Sequence, residues 1–148
     1  MPPDRRPPTD IEYQQLLEFR DRLRSFLRWS EARARSVGLS PAQHQLLLAI
    51  RGHRGGSPTI RDVAEHLLIR HHSAVGAVNR AVAAALVERH ADPDDRRIVR
   101  LSLTERGAAL LAGLTLTHQH LQELARLRDH LEPLLGTGEA SDRRVTGD

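Results

Sequence analysis

Residues Thr59 to Thr104 constrain the fold more than any other part of this 148-residue chain. Thr59-Ile60-Arg61-Asp62-Val63-Ala64-Glu65-His66-Leu67 opens as a capped helix. Thr59 can accept from the N–H near Asp62, and an acidic residue in the first turn suits the helix dipole. Ile60, Val63, Ala64 and Leu67 share one face at 3-and-4 spacing. After a brief turn, a second helix is expected from about His71 to Ala85, with Val75, Val78, Val82 and Leu86 as its buried stripe. Its other face presents His71, His72, Ser73, Gly76, Asn79 and Arg80. Two short helices with a polar face on the second fit a helix-turn-helix, whose second helix enters the DNA major groove.

The residues that follow extend the pattern. Leu86-Val87-Glu88-Arg89 and Ile98-Val99-Arg100-Leu101-Ser102-Leu103 alternate with period 2, and Asp92-Pro93-Asp94-Asp95-Arg96-Arg97 forms a polar tip between them. A strand pair directly after a recognition helix is a wing, with arginines placed to reach phosphate or a minor groove. Asp92, Asp94 and Asp95 are expected to cap the turn and hold the arginines out.

These strings resemble the MarR family of bacterial winged-helix regulators. The resemblance rests on Asp62 to Leu67, Ser73-Ala74-Val75, Asn79-Arg80, Leu86-Val87, Asp92 to Arg97 and Leu103-Thr104-Glu105-Arg106-Gly107. Ser40 to Ile50 adds the helix before the reading head. The resemblance covers roughly Ile11 to Leu135. It implies a homodimer, usually a repressor, that binds near-palindromic double-stranded DNA and is often released by a small ligand. It puts Arg97 at the family position that reaches into the minor groove, with Arg96 on phosphate. The chain departs from the family at three kinds of place. Leu68 stands in the turn where glycine is usual, and Asn79 stands where an aspartate often pairs with the wing arginine, here Arg97. Ala81 and Ala85 replace the common leucine and glycine. On this reading the DNA-binding residues are Arg61, Arg70, His71, His72, Ser73, Asn79, Arg80, Arg96 and Arg97.

Composition narrows the alternatives. All 22 basic residues are arginine, which offers a planar donor fork for guanine edges and phosphate. The net charge of +3 is modest, so the argument rests on where the arginines sit. There is no cysteine, which excludes disulfides, thiolate metal sites and the thiol-based oxidant sensing of one family branch. No apolar run is long enough to span a membrane, and the first residues lack a signal-peptide core; the cytoplasm is the expected compartment. No phosphate loop, nucleophile elbow or HExxH is present, so an enzyme is not expected, nor is a cofactor.

The fold class expected is mainly α with a small β-hairpin, a winged helix-turn-helix with long N- and C-terminal dimerisation helices. Residues 1–9 and 136–148 read as disordered tails around one domain at 10–135. Within it, 38–103 form the winged core, and 10–36 and 104–135 the dimerisation helices. The first helix carries Ile11, Leu16, Phe19, Leu23, Phe26, Leu27 and Ala34 on an apolar side and is too long for partners in its own subunit alone. Gly38 stops it, and Ser40-Pro41 with Gln43 starts the next in a capping box. From Thr104 one long helix is expected to about Leu127, then a last helix or turn kinked near Pro133.

Phe26 and Trp29 are candidates to line a pocket for a small aromatic or phenolic ligand, a site the family resemblance motivates. The alternative is that Trp29 packs in the dimer interface. Nine histidines raise a zinc- or metal-responsive regulator of the same fold as a second reading. Against it, His118 and His120 are two apart and point to different helix faces, and Gln43 beside His44 is not a carboxylate. A helical protein-interaction module without DNA binding is the third.

Overall fold

The computed structural model describes residues 6–115 and 117–142; of the expected tails, 1–5 and 143–148 lie outside these residues. The elements are α1 (Asp10–Ser36), α2 (Pro41–Gly52), α3 (Ile60–Leu67), α4 (His71–Ala83), β1 (Val87–Ala91), β2 (Val99–Leu103), α5 (Glu105–Leu114) and α6 (His118–Asp142). They form two compact units. One joins the first part of α1, up to Trp29, with α6; the other is Ser30–Thr117.

The second unit holds the main core. Leu46, Leu47 and Ile50 of α2 meet Val63 of α3, Val78 and Ala81 of α4, Leu86, Val87 and Leu101 of the hairpin, and Leu111 and Leu114 of α5. The buried stripe of α4 is Ala74, Val78 and Ala81, while Val75 and Val82 are only half-buried. Val78 and Leu86 of the expected stripe are buried, while Ala74 and Ala81 take the places expected of Val75 and Val82. Alanine lets α4 approach its neighbours closely, and a periodicity read on large side chains passes over it.

Helix starts follow the sequence signals. Ser40 and Gln43 close a capping box on α2, and Thr59 and Asp62 close one on α3. Thr9 and Glu12 make the same reciprocal bonds at the start of α1, and Arg6 chelates Glu12 at 2.7 and 2.8 Å. That pairing lowers the Glu12 carboxyl to about 2. Arg6 and Thr9 are thus tied to the start of α1.

Three helices end in one motif, an N–H reaching back five residues across a left-handed residue. The bonds are Leu39 to Ala34, Ile69 to Ala64 and Leu86 to Ala81, at 3.0, 3.1 and 2.9 Å. The left-handed residues are Gly38 (φ 82°), Leu68 (φ 53°) and Ala85 (φ 58°). Glycine adopts this conformation freely, whereas a side chain there costs about 1 kcal/mol.

Two expectations about the C-terminal helices need correction. The single long helix from Thr104 is two, because Thr115 turns extended (φ −97°, ψ 141°) and caps α5. Its hydroxyl donates to the Leu111 carbonyl at 2.8 Å. Leucines at helical spacing on both sides of Thr115-Leu116-Thr117 conceal the break, and His118 and His120 consequently start α6. That helix then runs through Pro133 to Asp142 rather than ending at Leu135.

In the first unit, Arg22 and Glu123 pair at 3.0 Å. Phe26, Trp29 and His120 make an aromatic triangle, with centroids 5.6 to 6.1 Å apart.

Candidate nucleic-acid interface

The exposed face of α4 is built by its start. Ser40, Thr59 and Thr104 cap the N-termini of α2, α3 and α5 through their hydroxyls, but the N-cap of α4 is Arg70, with no side-chain cap bond. The first-turn amides of α4 are therefore left to an outside acceptor, and the helix dipole favours an anion there. His71, His72 and Ser73 of that turn are exposed, as are Asn79 and Arg80 further along. Arg61 projects from α3 with Glu65 at 3.5 Å.

The hairpin pairs antiparallel from Val87 opposite Leu103 to Ala91 opposite Val99. Asp92 organises its tip. One carboxylate oxygen accepts the N–H groups of Asp94 and Asp95 at 2.8 and 3.0 Å, and the other accepts from Arg100 at 2.8 Å. The Arg100 bond, then these backbone donors, hold the Asp92 carboxyl below its ordinary value. Arg100 also donates to the Ser57 carbonyl at 3.3 Å, and the Leu101 N–H to Pro58 at 2.8 Å. The wing is thus fastened to the loop ahead of α3.

The wing arginines differ. Arg97, 90% exposed, folds onto Asp95 with two side-chain bonds of 3.1 Å, and this pairing lowers the Asp95 carboxyl. Arg96 is exposed and has no ion pair among the described residues. Asp92 and Asp95 cap the turn as expected, whereas Asp94 contributes only its backbone N–H, and Asp95 draws Arg97 in rather than holding it out. The expected Asn79–Arg97 pair is absent; Asn79 accepts from Arg89 of β1. Alternation explains this, because the register that turns Val87 inward also turns Arg89 toward α4.

Other contacts had no signal in the sequence reading. His53, at the end of α2, faces His66 of α3 with ring nitrogens 2.8 Å apart, and its other nitrogen lies 3.6 Å from Asp62. The Thr59 N–H is the chief cause holding the Asp62 carboxyl low. Phe26 and Trp29 belong to the unit of α1 and α6. Among the described residues no group of three or more histidine or acidic side chains is arranged to hold a metal ion.

A helix, a left-handed turn, a second helix with an uncapped basic start, and a hairpin bound to it define a winged helix-turn-helix. Residues 37–98 match the model of the MarR family, so this segment is similar to that family. Its fold is similar to that of AbsC, a MarR family transcriptional regulator from Streptomyces coelicolor, with TM-score 0.67 and 22% identity over 92% of this chain and 93% of that one. A variant of S. aureus MepR bound to an oligodeoxyribonucleotide is similar at TM-score 0.62 and 16% identity, covering 84% of this chain and 95% of that one. A variant of E. coli MarR complexed with operator DNA is similar at 0.62 and 21%, covering 86% and 90%. No curated protein matches the chain.

Proposed function

We propose that the chain is a DNA-binding transcription regulator rather than an enzyme, a homodimeric repressor that reads a near-palindromic double-stranded site. The observation that carries this reading is the uncapped start of α4, ringed by exposed Arg70, His71, His72 and Ser73 and flanked by a wing bearing Arg96 and Arg97. The α4 turn supplies base-edge and phosphate contacts in the major groove; the wing supplies minor-groove and phosphate contacts. DNA-bound relatives of this fold support the same assignment. Ile11, Leu16, Leu17 and Leu27 of α1 and Leu121 and Leu135 of α6 are exposed apolar residues that support a two-fold dimer through these helices. No described helix is long and apolar enough to cross a membrane, and a cytoplasmic site of action fits the proposal. We place the small aromatic or phenolic effector at Phe26 and Trp29, on the strength of their ring cluster with His120.

The test is a gel shift with DNA from the region upstream of the chain's own gene, repeated with a panel of phenolic and carboxylate aromatics. A specific shift is expected, released by at least one compound, with the protein dimeric in sedimentation at micromolar concentration. An Arg96→Ala, Arg97→Ala double variant should lose about 1–3 kcal/mol of binding. Absence of any shift, or wild-type affinity in the double variant, would remove the reading or its wing component respectively.

A further inference from the structure

Leu68 is anomalous on two counts. It is left-handed at φ 53° and ψ 42°, and it is 92% exposed, the highest exposure among the large apolar residues described. The turn uses only its backbone. The Leu68 N–H bonds to the Glu65 carbonyl at 3.3 Å, and the following Ile69 N–H bonds to Ala64 at 3.1 Å. The second bond needs the left-handed conformation, and neither needs a side chain. Gly38 closes the equivalent motif at the end of α1 without one. The isobutyl group of Leu68 therefore brings conformational cost and gains almost no burial within the chain.

Its surroundings say what it fits. Arg70, His71 and His72 follow it directly and are exposed, and Ile69 beside it is also exposed at the surface. The acidic residue nearby, Glu65, is already engaged with Arg61. The result is an apolar tip beside the Arg70 cation and two imidazoles, at the mouth of the helix start that lacks a cap. A complementary partner is a polyanion with apolar edges between its charges. Duplex DNA has that alternation, with phosphates flanking deoxyribose rings and thymine methyl groups. We infer that Leu68 is a DNA-contact residue whose side chain packs on an apolar edge of the duplex while Arg70 and the first turn of α4 take the neighbouring phosphates. This rests on the DNA-binding reading and adds an apolar contact to it.

Leu68→Gly tests the inference without risking the fold, because glycine relieves the strained backbone. Thermal unfolding of the variant should rise by about 2–6 °C. Its affinity for the upstream DNA should fall about 4- to 15-fold, the scale of one or two methylenes buried. Copies of the DNA made with deoxyuridine in place of thymidine locate the contact. Weaker binding by wild type but not by Leu68→Gly assigns the thymine methyl; no effect on either, with the variant still weaker, assigns the sugar. Equal affinity of the two proteins for normal DNA overturns the inference. So does an intact affinity with dimerisation lost in sedimentation, which would make Leu68 a contact between copies. If wild type itself shifts no DNA, the parent reading falls first and this one with it.

Discussion

Gly107 shows how much one side chain can decide. A Cβ at this position would lie 2.2 Å from the Leu86 carbonyl oxygen, which is backbone and cannot step aside. The neighbours explain the closeness. The Thr104 N–H donates to Leu86 O at 3.0 Å, its hydroxyl to Ala85 O at 2.7 Å, and Arg106 to Ala84 O at 2.7 Å. Residues 104–107 thus gather the carbonyls released at the end of α4, and the same Thr104 hydroxyl caps α5 by accepting from the Gly107 N–H at 3.0 Å. The Leu-Thr-x-x-Gly string is a docking device between the end of α4 and α5. Gly107→Ala should destabilise the chain by about 1–3 kcal/mol, read as a lower urea midpoint. A midpoint within error of wild type would mean that the two helix ends are not held together as described.

At the scale of elements, the starts of helices were legible and their relations less so. Ser40 with Gln43, and Thr59 with Asp62, declare helix starts in a few consecutive residues, because capping is a local bond pattern. The α5–α6 break was illegible because leucine spacing carries across it. The link from Asn79 to Arg89 depends on hairpin register and on the placement of α4 against β1, which residue order alone does not give. The exposed start of α4 was readable in outline, whereas the Asp95–Arg97 pairing at the wing tip was not. One element carries a pH signature. The Asp62 carboxyl, capping α3, titrates below its ordinary value in the folded chain. Its stabilisation is complete above the unfolded carboxylate pKa of about 3.9 and is lost as pH falls through the lower folded value. Over acid pH, from about 5 down to 3, the urea midpoint of wild type should fall more steeply than that of Asp62→Asn. Parallel curves would show that the α3 cap does not contribute to acid sensitivity.

Across the whole molecule, arginine supplies every positive side chain, yet the net charge is only +3. Much of the arginine is matched internally, as at Arg22–Glu123, Arg100–Asp92 and Arg97–Asp95. The last pair matters most, because it sits on the surface proposed to meet DNA. Asp95 acts there as a counter-ion built into the chain. When a phosphate takes over Arg97, the displaced partner is a tethered carboxylate, so the exchange is partly independent of dissolved salt. The affinity should therefore fall less with rising ionic strength than the number of arginine–phosphate contacts implies. Asp95→Asn should tighten binding at low salt and steepen the log–log salt dependence by about one unit. An unchanged slope would mean that Arg97 stays with Asp95 in the complex. With the exchange in place, the wing is buffered against swings in ionic strength that would loosen an unpaired arginine.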